Sequence, residues 1–195
     1  MPKIVDYESK KQEIIEKARI VFATRGYHNT NLSHISKKCG MGRTTLYQYF
    51  TNKDEIFYHS MGYTLEEIKS QVNVIIANDK LSFVEKLKEI IHQLTEEQNH
   101  NNTFILLLEI WLILRRERNE TLEKLKKYTQ ELKKVLEELI KEAIRAKEIK
   151  PIDSRSLAET IYTFIETFTL QRTSSNLDIK VKVESLNLLI DGLKV

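Results

Sequence analysis

Apolar residues recur with the 3.6-residue period of an α-helix along almost the whole chain. Near the start, the spacing predicts a helix over about 10–25, opened by a capping box at Ser9 and Gln12. Gly26 follows as the residue that ends this helix, because glycine readily adopts the left-handed conformation found after helix C-termini. The stripe that the helix would bury is Ile14, Ala18 and Phe22, flanked by Ile15 and Val21.

Two short helices joined by a glycine-containing turn are predicted next. The first is capped by Asn31 and ends at Gly40-Met41-Gly42, and the second spans about 43–50. Their inner faces are Leu32, Ile35 and Cys39 in the first helix and Leu46 and Phe50 in the second. Two short helices around such a turn have the outline of a helix-turn-helix, whose second helix enters the major groove of DNA.

The remaining chain has the pattern of longer helices. Capping boxes at Asn52/Glu55 and Ser82/Glu85 open the fourth and fifth of them. Further helices are predicted over 104–118 and 122–147, and from Asp153 or Ser154 onward, after Pro151.

The last segment, 179–193, is ambiguous. Ile179, Val181 and Val183 alternate as in a strand, whereas the spacing from Val183 to Leu193 is helical. Together the patterns predict an all-α fold of about nine helices. Its domains are an N-terminal three-helix helix-turn-helix over 1–54 and a larger helical domain over 55–195.

Composition supports this fold class and narrows the function. The 195 residues contain only 5 Gly and 2 Pro, too little turn chemistry for a barrel or sandwich. The single cysteine, Cys39, excludes an internal disulfide framework and agrees with a reducing compartment. We find no run of about 18 apolar residues and no secretory signal, so we expect a cytoplasmic protein without a membrane partner.

Charge is distributed unevenly along the chain. Between Glu16 and Asp54, 37 consecutive residues contain no carboxylate, yet they include seven Lys or Arg residues. Such a surface attracts a polyanion, because each phosphate neutralised by a cation releases a counterion. Charge alone leaves two interpretations open: a nucleic-acid surface, or a basic face that is merely solvated.

The outer face of the third helix carries chemistry suited to DNA. Opposite Leu46 and Phe50, at 100° per residue, it has neither an acid nor an aliphatic side chain. It offers hydroxyls for phosphates, an amide for adenine and a guanidinium for guanine. The residues concerned are Arg43, Thr44, Thr45, Gln48 and Tyr49, with Tyr47 at the margin. Lys53, at a helix N-terminus that disfavours cations, is placed to bind a phosphate instead.

These residues resemble a known family. Gly26–Ser36, Gly40 and Thr45–Ile56, above all the pattern Leu-Tyr-x-Tyr-Phe-x-x-Lys at 46–53, are similar to the DNA-binding domain of the tetracycline-repressor (TetR) family. The resemblance covers about 9–58 and implies a homodimer on a near-palindromic operator. It implies phosphate contacts from Thr45, Tyr47, Tyr49 and Lys53 and base readout by Arg43, Thr44 and Gln48.

Beyond residue 60 the resemblance implies two further sites. One is a four-helix interface between two copies, to which the last two predicted helices would contribute Leu157, Ile161, Phe164, Phe168, Leu186, Leu189 and Leu193. The other is a pocket for a small-molecule effector of unknown identity, enclosed by helices four to eight. Polar or aromatic residues that interrupt apolar faces are its candidates: Tyr63, His92, Phe104, Glu109, Trp111, Tyr162 and Glu166.

Two other functions fit parts of the sequence. Glu89-x-x-His92 and Glu97-x-x-His100 have the spacing of di-iron helix bundles, but both lie within 12 residues and cannot face each other across a bundle. We therefore predict neither a catalytic metal nor a cofactor. A helical adaptor that binds protein is the second alternative, and it leaves the carboxylate-free stretch unexplained.

Overall fold

The computed structural model describes residues 6–95, 120–171 and 179–195. Helices dominate this part of the chain, and the predicted all-α fold is confirmed. It contains eight helices: α1 (Tyr7–Arg25), α2 (Leu32–Cys39), α3 (Arg43–Leu46), α4 (Lys53–Ile76), α5 (Phe83–Thr95), α6 (Glu120–Arg145), α7 (Ser154–Gln171) and α8 (Ile179–Asp191). About nine were expected, and the predicted helix over 104–118 lies outside the described residues.

The chain divides into two compact units, and the division falls inside α4. Described residues up to Glu67 group into the first unit, and those from Ile68 onward into the second. The domain boundary expected at 54/55 lies at the beginning of the same helix. Among the described residues, no helix is both long and apolar enough to cross a bilayer.

The first unit is built around a small aromatic and aliphatic core. The rings of Phe22 and Phe57 meet edge to face with their centroids 4.9 Å apart, joining α1 to α4. As the apolar pattern predicted, α1 buries Ile14, Ala18 and Phe22, and α2 buries Ile35 and Cys39. Leu32, expected in the same inner face, is only half-buried. This core holds α2 and α3 in place against α1.

The beginning of α1 differs from the prediction. The helix starts at Tyr7 with Asp6 as its N-cap, so the capping box expected at Ser9 and Gln12 is wrong. Tyr7 makes a tertiary contact with the residues that follow α3, and this contact stabilises an additional turn that local capping signals do not indicate. The end at Gly26, with φ of 74°, agrees with the prediction.

Asn31 caps α2 and Ser82 caps α5, as the sequence predicted, and each cap is part of a capping box. The side chain of Asn31 accepts from the backbone N–H of His34 at 3.0 Å, and His34 Nδ1 accepts from the N–H of Asn31. Ser82 and Glu85 exchange the same pair of bonds. These boxes satisfy amide groups that would otherwise lack a partner at a helix N-terminus.

At the start of α4 the predicted capping box forms only in part. Asn52 accepts from the N–H of Glu55 at 2.8 Å, as expected. The Glu55 carboxylate, however, accepts from the N–H and the hydroxyl of Thr51 rather than from Asn52. These bonds hold the pKa of Glu55 below its ordinary value, because they favour the ionised carboxylate.

The second unit is a helical bundle centred on α5. Ile90 and Ile91 of α5 are fully buried, and α6, α7 and α8 each pack against this helix. Glu148 binds the N-terminus of α5, since its carboxylate accepts from the N–H groups of Phe83 and Val84 at 3.1 and 2.9 Å. Satisfying these donors fixes the turn after α6 against α5.

The ambiguous segment 179–193 is a helix over most of its length. In α8, Val183, Leu186 and Ile190 are buried, which is a spacing of three and four residues. Packing of this stripe against α5 outweighs the β preference of Ile179, Val181 and Val183. Beyond α8, Lys150 N–H donates to the Leu193 carbonyl at 2.8 Å.

Candidate DNA-binding interface

A tight turn joins α2 to α3. Gly40 adopts a left-handed conformation with φ of +68°, and its N–H donates to the Lys37 carbonyl at 3.1 Å. The N–H of Met41 donates to the Ser36 carbonyl at 3.0 Å. This pair of bonds terminates α2 after two turns and allows α3 to pack beside it, which is the arrangement of a helix-turn-helix.

The short helix α3 separates its two faces as the sequence predicted. Leu46 and Phe50 are 1% and 2% exposed, so the inner face is fully buried. The opposite side chains are exposed: Arg43, Thr44, Thr45, Tyr47 and Gln48. Tyr49 is half-buried. A polar surface free of carboxylates is thus presented on one side of the motif.

The predicted length of this helix is wrong. Regular α-helix covers 43–46 instead of 43–50, and the residues after it form tighter turns. The N–H groups of Gln48 and Tyr49 donate three residues back, to Thr45 and Leu46. The N–H of Phe50 again donates four residues back, to Leu46, so Phe50 shares the buried face of Leu46. The exposed surface of this motif, which we call the reading surface, therefore consists of one helical turn, 43–46, and the three residues that follow it, 47–49.

Part of the carboxylate-free stretch is available to an anion. Arg25, Lys37, Lys38 and Arg43 are exposed, and none of them forms an ion pair among the described residues. The other cations differ, since Lys17 binds Glu13 and Arg19 binds Glu67. Unpaired cations close to α2 and α3 attract phosphates without the cost of breaking a salt bridge.

Lys53 lies at the first position of α4, where its side chain is held by the turn after α1. Its ammonium donates to the carbonyl oxygen of Tyr27 at 2.9 Å and lies 4.0 Å from the centre of the Tyr27 ring. The Tyr27 hydroxyl in turn donates to the carboxylate of Asp54. The role of Tyr27 in holding Lys53 had no sequence signal, because the two residues are 26 positions apart.

The effector-pocket candidates do not all lie in described parts of the chain. Phe104, Glu109 and Trp111 fall outside them. Tyr63 belongs to the first unit, where Arg19 lies 5.3 Å from its ring centre, and His92 is exposed on α5.

Tyr162 and Glu166 are brought together one turn apart on α7. Tyr162 is 8% exposed, and its hydroxyl donates to Thr129 of α6 at 3.4 Å. Burial raises the pKa of Tyr162 above its ordinary value, and the negative charge of Glu166 adds to the increase. The hydroxyl therefore stays protonated and can donate to a polar group inside the second unit.

Only one of the two Glu-x-x-His pairs lies in the described part of the chain. Glu89 and His92 are exposed on α5, whereas Glu97 and His100 lie outside the described residues. Within the described ranges, no group of three His, Cys, Asp or Glu side chains is close enough to hold a metal.

Cys39 is 7% exposed, and burial raises the pKa of its thiol, as expected for a side chain that fills the core.

The predicted dimer residues fall into two groups. Three are buried within the second unit: Ile161, Phe168 and Leu186. Leu157, Phe164 and Leu193 are half-buried, and Leu189 is 63% exposed. Two exposed apolar residues of α8, Val181 and Leu188, were not among the candidates. The apolar spacing of this segment could have identified them, because a helix that buries Val183, Leu186 and Ile190 places both residues on its outer face.

The chain is similar to known regulators in sequence. The family profile described as bacterial regulatory proteins, tetR family, matches residues 14–59. The fatty acid metabolism regulator protein of Bacillus subtilis (strain 168) is 30% identical over 168 residues, which cover 82% of this chain and 82% of the relative. The chain belongs to the tetR family of bacterial regulatory proteins. It is thus a DNA-binding transcriptional regulator, and the family is not one of enzymes.

Solved structures of transcriptional regulators share this fold. A TetR-family regulator from Cytophaga hutchinsonii superposes with a TM-score of 0.82 over 99% of this chain and 98% of that chain, at 22% identity. A transcriptional regulator from Saccharomonospora viridis, solved in complex with choline, gives a TM-score of 0.86 over 94% and 96% of the two chains, at 18% identity.

Proposed function

We propose that this tetR-family chain is a homodimeric repressor that binds a near-palindromic operator and is released by a small-molecule effector. The observation that carries the proposal is the exposed, carboxylate-free face around α3, backed by the buried Leu46 and Phe50. Arg43, Thr44 and Gln48 would read base edges in the major groove. Thr45, Tyr47, Tyr49 and Lys53 would bind the phosphate backbone and fix the register.

Dimerisation is supported by the outer face of α8. Val181, Leu188 and Leu189 are 54%, 71% and 63% exposed, an apolar surface that a monomer would leave in water. On α7, Leu157 and Phe164 are half-buried apolar residues that a second copy would also cover. A symmetric pairing of two copies would bury it, and the two-fold axis would explain a near-palindromic operator.

The effector proposal is supported by Tyr162 and Glu166. The buried Tyr162 hydroxyl and the Glu166 carboxylate one turn away offer polar groups to a ligand inside a largely apolar bundle. The name of the Bacillus subtilis relative makes intermediates of fatty-acid metabolism the first effector class to test. An effector acts only if it binds the DNA-free state more tightly than the DNA-bound state.

The test is a titration of the full chain against DNA. A duplex is selected from a random-sequence pool with the purified protein, and its affinity is compared with that of a scrambled duplex at two salt concentrations. We expect selective, salt-sensitive binding of two copies per duplex. Equal and weak binding to both duplexes would contradict the repressor and favour the protein-binding adaptor.

Release is tested on the same complex. Fatty-acid metabolites are added to the bound duplex one at a time, and dissociation is measured for the wild type and for Tyr162→Phe. We expect one of them to release the wild type and a higher concentration to be needed for the variant, which loses one hydrogen bond. Equal sensitivity of both proteins would show that the Tyr162 hydroxyl does not bind the effector.

A further inference from the structure

Tyr7, the first residue of α1, lies against the end of the reading surface. Its ring stacks on the ring of Tyr49 with a centroid separation of 4.9 Å and an angle of 23° between the planes. Its hydroxyl donates to the backbone carbonyl of Gln48 at 3.2 Å. Tyr7 precedes the segment 14–59 that matches the family profile, and it stands 41 residues before Gln48.

This contact lies just after α3, where the backbone forms turns tighter than those of an α-helix. Regular helix ends at Leu46, and the N–H groups of Gln48 and Tyr49 make only the tighter bonds of successive turns. Such turns have poorer hydrogen-bond geometry than an α-helix, so their conformation depends more on outside contacts. Tyr7 supplies two such contacts, one to the backbone of Gln48 and one to the side chain of Tyr49.

We propose that Tyr7 is a positioning residue for DNA recognition, acting through Tyr49 and Gln48. The stacked ring fixes the plane of the Tyr49 side chain, so that its hydroxyl is directed before DNA arrives. The hydrogen bond fixes the backbone carbonyl of Gln48 and with it the peptide plane that joins Gln48 to Tyr49. This inference rests on the proposed DNA contacts of Gln48 and Tyr49.

Tyr7 is suited to positioning rather than to holding the fold. It is 47% exposed, whereas the core residues of α1 such as Ile14 and Phe22 are fully buried. Removing its ring therefore leaves the core of the first unit intact. What changes is the freedom of Tyr49, which must then be ordered when DNA binds, at a cost in affinity.

Three variants test the proposal: Tyr7→Phe, Tyr7→Leu and, as a matched control on the same turn, Ser9→Ala. Phenylalanine keeps the stacked ring and removes the hydroxyl, and leucine removes both while favouring the helix. Affinity is measured for the duplex selected by the wild-type protein and for a scrambled duplex, and thermal unfolding is followed alongside.

We expect Tyr7→Leu to weaken binding to the selected duplex by about three- to tenfold, the range of an aromatic pair. We expect Tyr7→Phe to lose less than about threefold, because an exposed neutral hydrogen bond contributes little. Ser9→Ala should bind like the wild type. Tyr7→Leu should weaken binding to the scrambled duplex by a similar factor, because Tyr49 is expected at a phosphate, whereas the unfolding temperature should change little in all three variants.

The route through Tyr49 is tested by repeating Tyr7→Leu in a Tyr49→Leu protein. If Tyr7 acts by orienting Tyr49, the loss on the selected duplex shrinks to within about twofold in this background. An undiminished loss would overturn the proposal, since Tyr7 would then touch DNA itself or only stabilise the fold. A Tyr7→Leu protein that binds like the wild type would also overturn it.

These outcomes are distinct from a failure of the proposed function. If the wild-type protein selects no duplex, the repressor proposal and the role of Tyr7 fall together. If it binds selectively and the Tyr7 variants match it, the role of Tyr7 alone is refuted.

Discussion

The ammonium of Lys53 donates a hydrogen bond to the backbone carbonyl of Tyr27 and lies 4.0 Å from the centre of the Tyr27 ring. The first residue of α4 is thereby tied to the turn between α1 and α2. An ammonium group has three donors, so this bond leaves two for a phosphate. A cation fixed in place loses less side-chain entropy on binding DNA than one that is free to rotate.

Replacing Lys53 by alanine should weaken binding to every DNA sequence. The variant loses one phosphate contact, so the slope of log K against log salt should fall by about 0.9. We expect a loss of about tenfold in affinity, as for one hydrogen bond to a charged group. Lys127→Ala is the control, because its side chain in α6 is 77% exposed and carries the same charge. A parallel loss in the control would assign the effect to net charge alone.

Arg43→Ala and Gln48→Ala should affect sequence preference rather than general affinity. Each removes a side chain expected to pair with a base edge, a contact of about 1–3 kcal/mol in discrimination. Tyr47→Phe, which removes only a hydroxyl expected at a phosphate, should weaken all sequences alike. Affinities for a set of single-base variants of the selected duplex separate the two behaviours. The same profile for all three proteins would show that the roles are assigned wrongly.

Gly40 and Gly62 should respond in opposite directions to alanine. Gly40 has φ of +68°, where a Cβ is strained, so Gly40→Ala should destabilise the protein by about 1 kcal/mol. Gly62 lies within α4, and a Cβ there would meet nothing within 4 Å. Gly62→Ala should therefore stabilise by about 0.5–1 kcal/mol. Urea unfolding of the two variants measures both effects. Equal effects would mean that the turn at Gly40 relaxes at no cost.

Leu189→Glu should separate the two copies of the proposed dimer. A two-fold axis places each substitution in the interface twice, so the dissociation constant should rise at least about a hundredfold. Sedimentation at several concentrations measures the dimer, and operator affinity should fall with it. Val74→Glu is the control, since Val74 is 70% exposed on α4, outside the proposed interface. A dimer that survives Leu189→Glu would place the interface elsewhere.

Local signals predicted much of the fold. Asn31 and Ser82 cap helices where the sequence indicated, because a cap needs only groups within one turn. Gly26 and Gly40 end helices with positive φ for the same reason. The exposed face of α3 followed from the burial of Leu46 and Phe50, since helical geometry fixes which side chains lie opposite.

Other features depend on residues far apart in sequence. The additional turn of α1 requires Tyr49, and the position of the Lys53 ammonium requires Tyr27. The helical form of 179–191 requires the surface of α5, which selects one of two periodicities that the sequence carries. Of the apolar residues expected between two copies, Ile161, Phe168 and Leu186 are buried within the second unit, whereas Leu189 is exposed.

The sequence alone thus established the all-α class, the helix-turn-helix and its polar face, because each depends on periodicity and on caps within a few residues. Tertiary packing determined where α1 begins, which leucines of α8 remain exposed, and which side chains hold Tyr49 and Lys53. The physical reason is that the burial of a side chain depends on its own helix and on the helices that pack against it. A periodic pattern indicates that a face is apolar, but only the neighbouring helices determine what covers it.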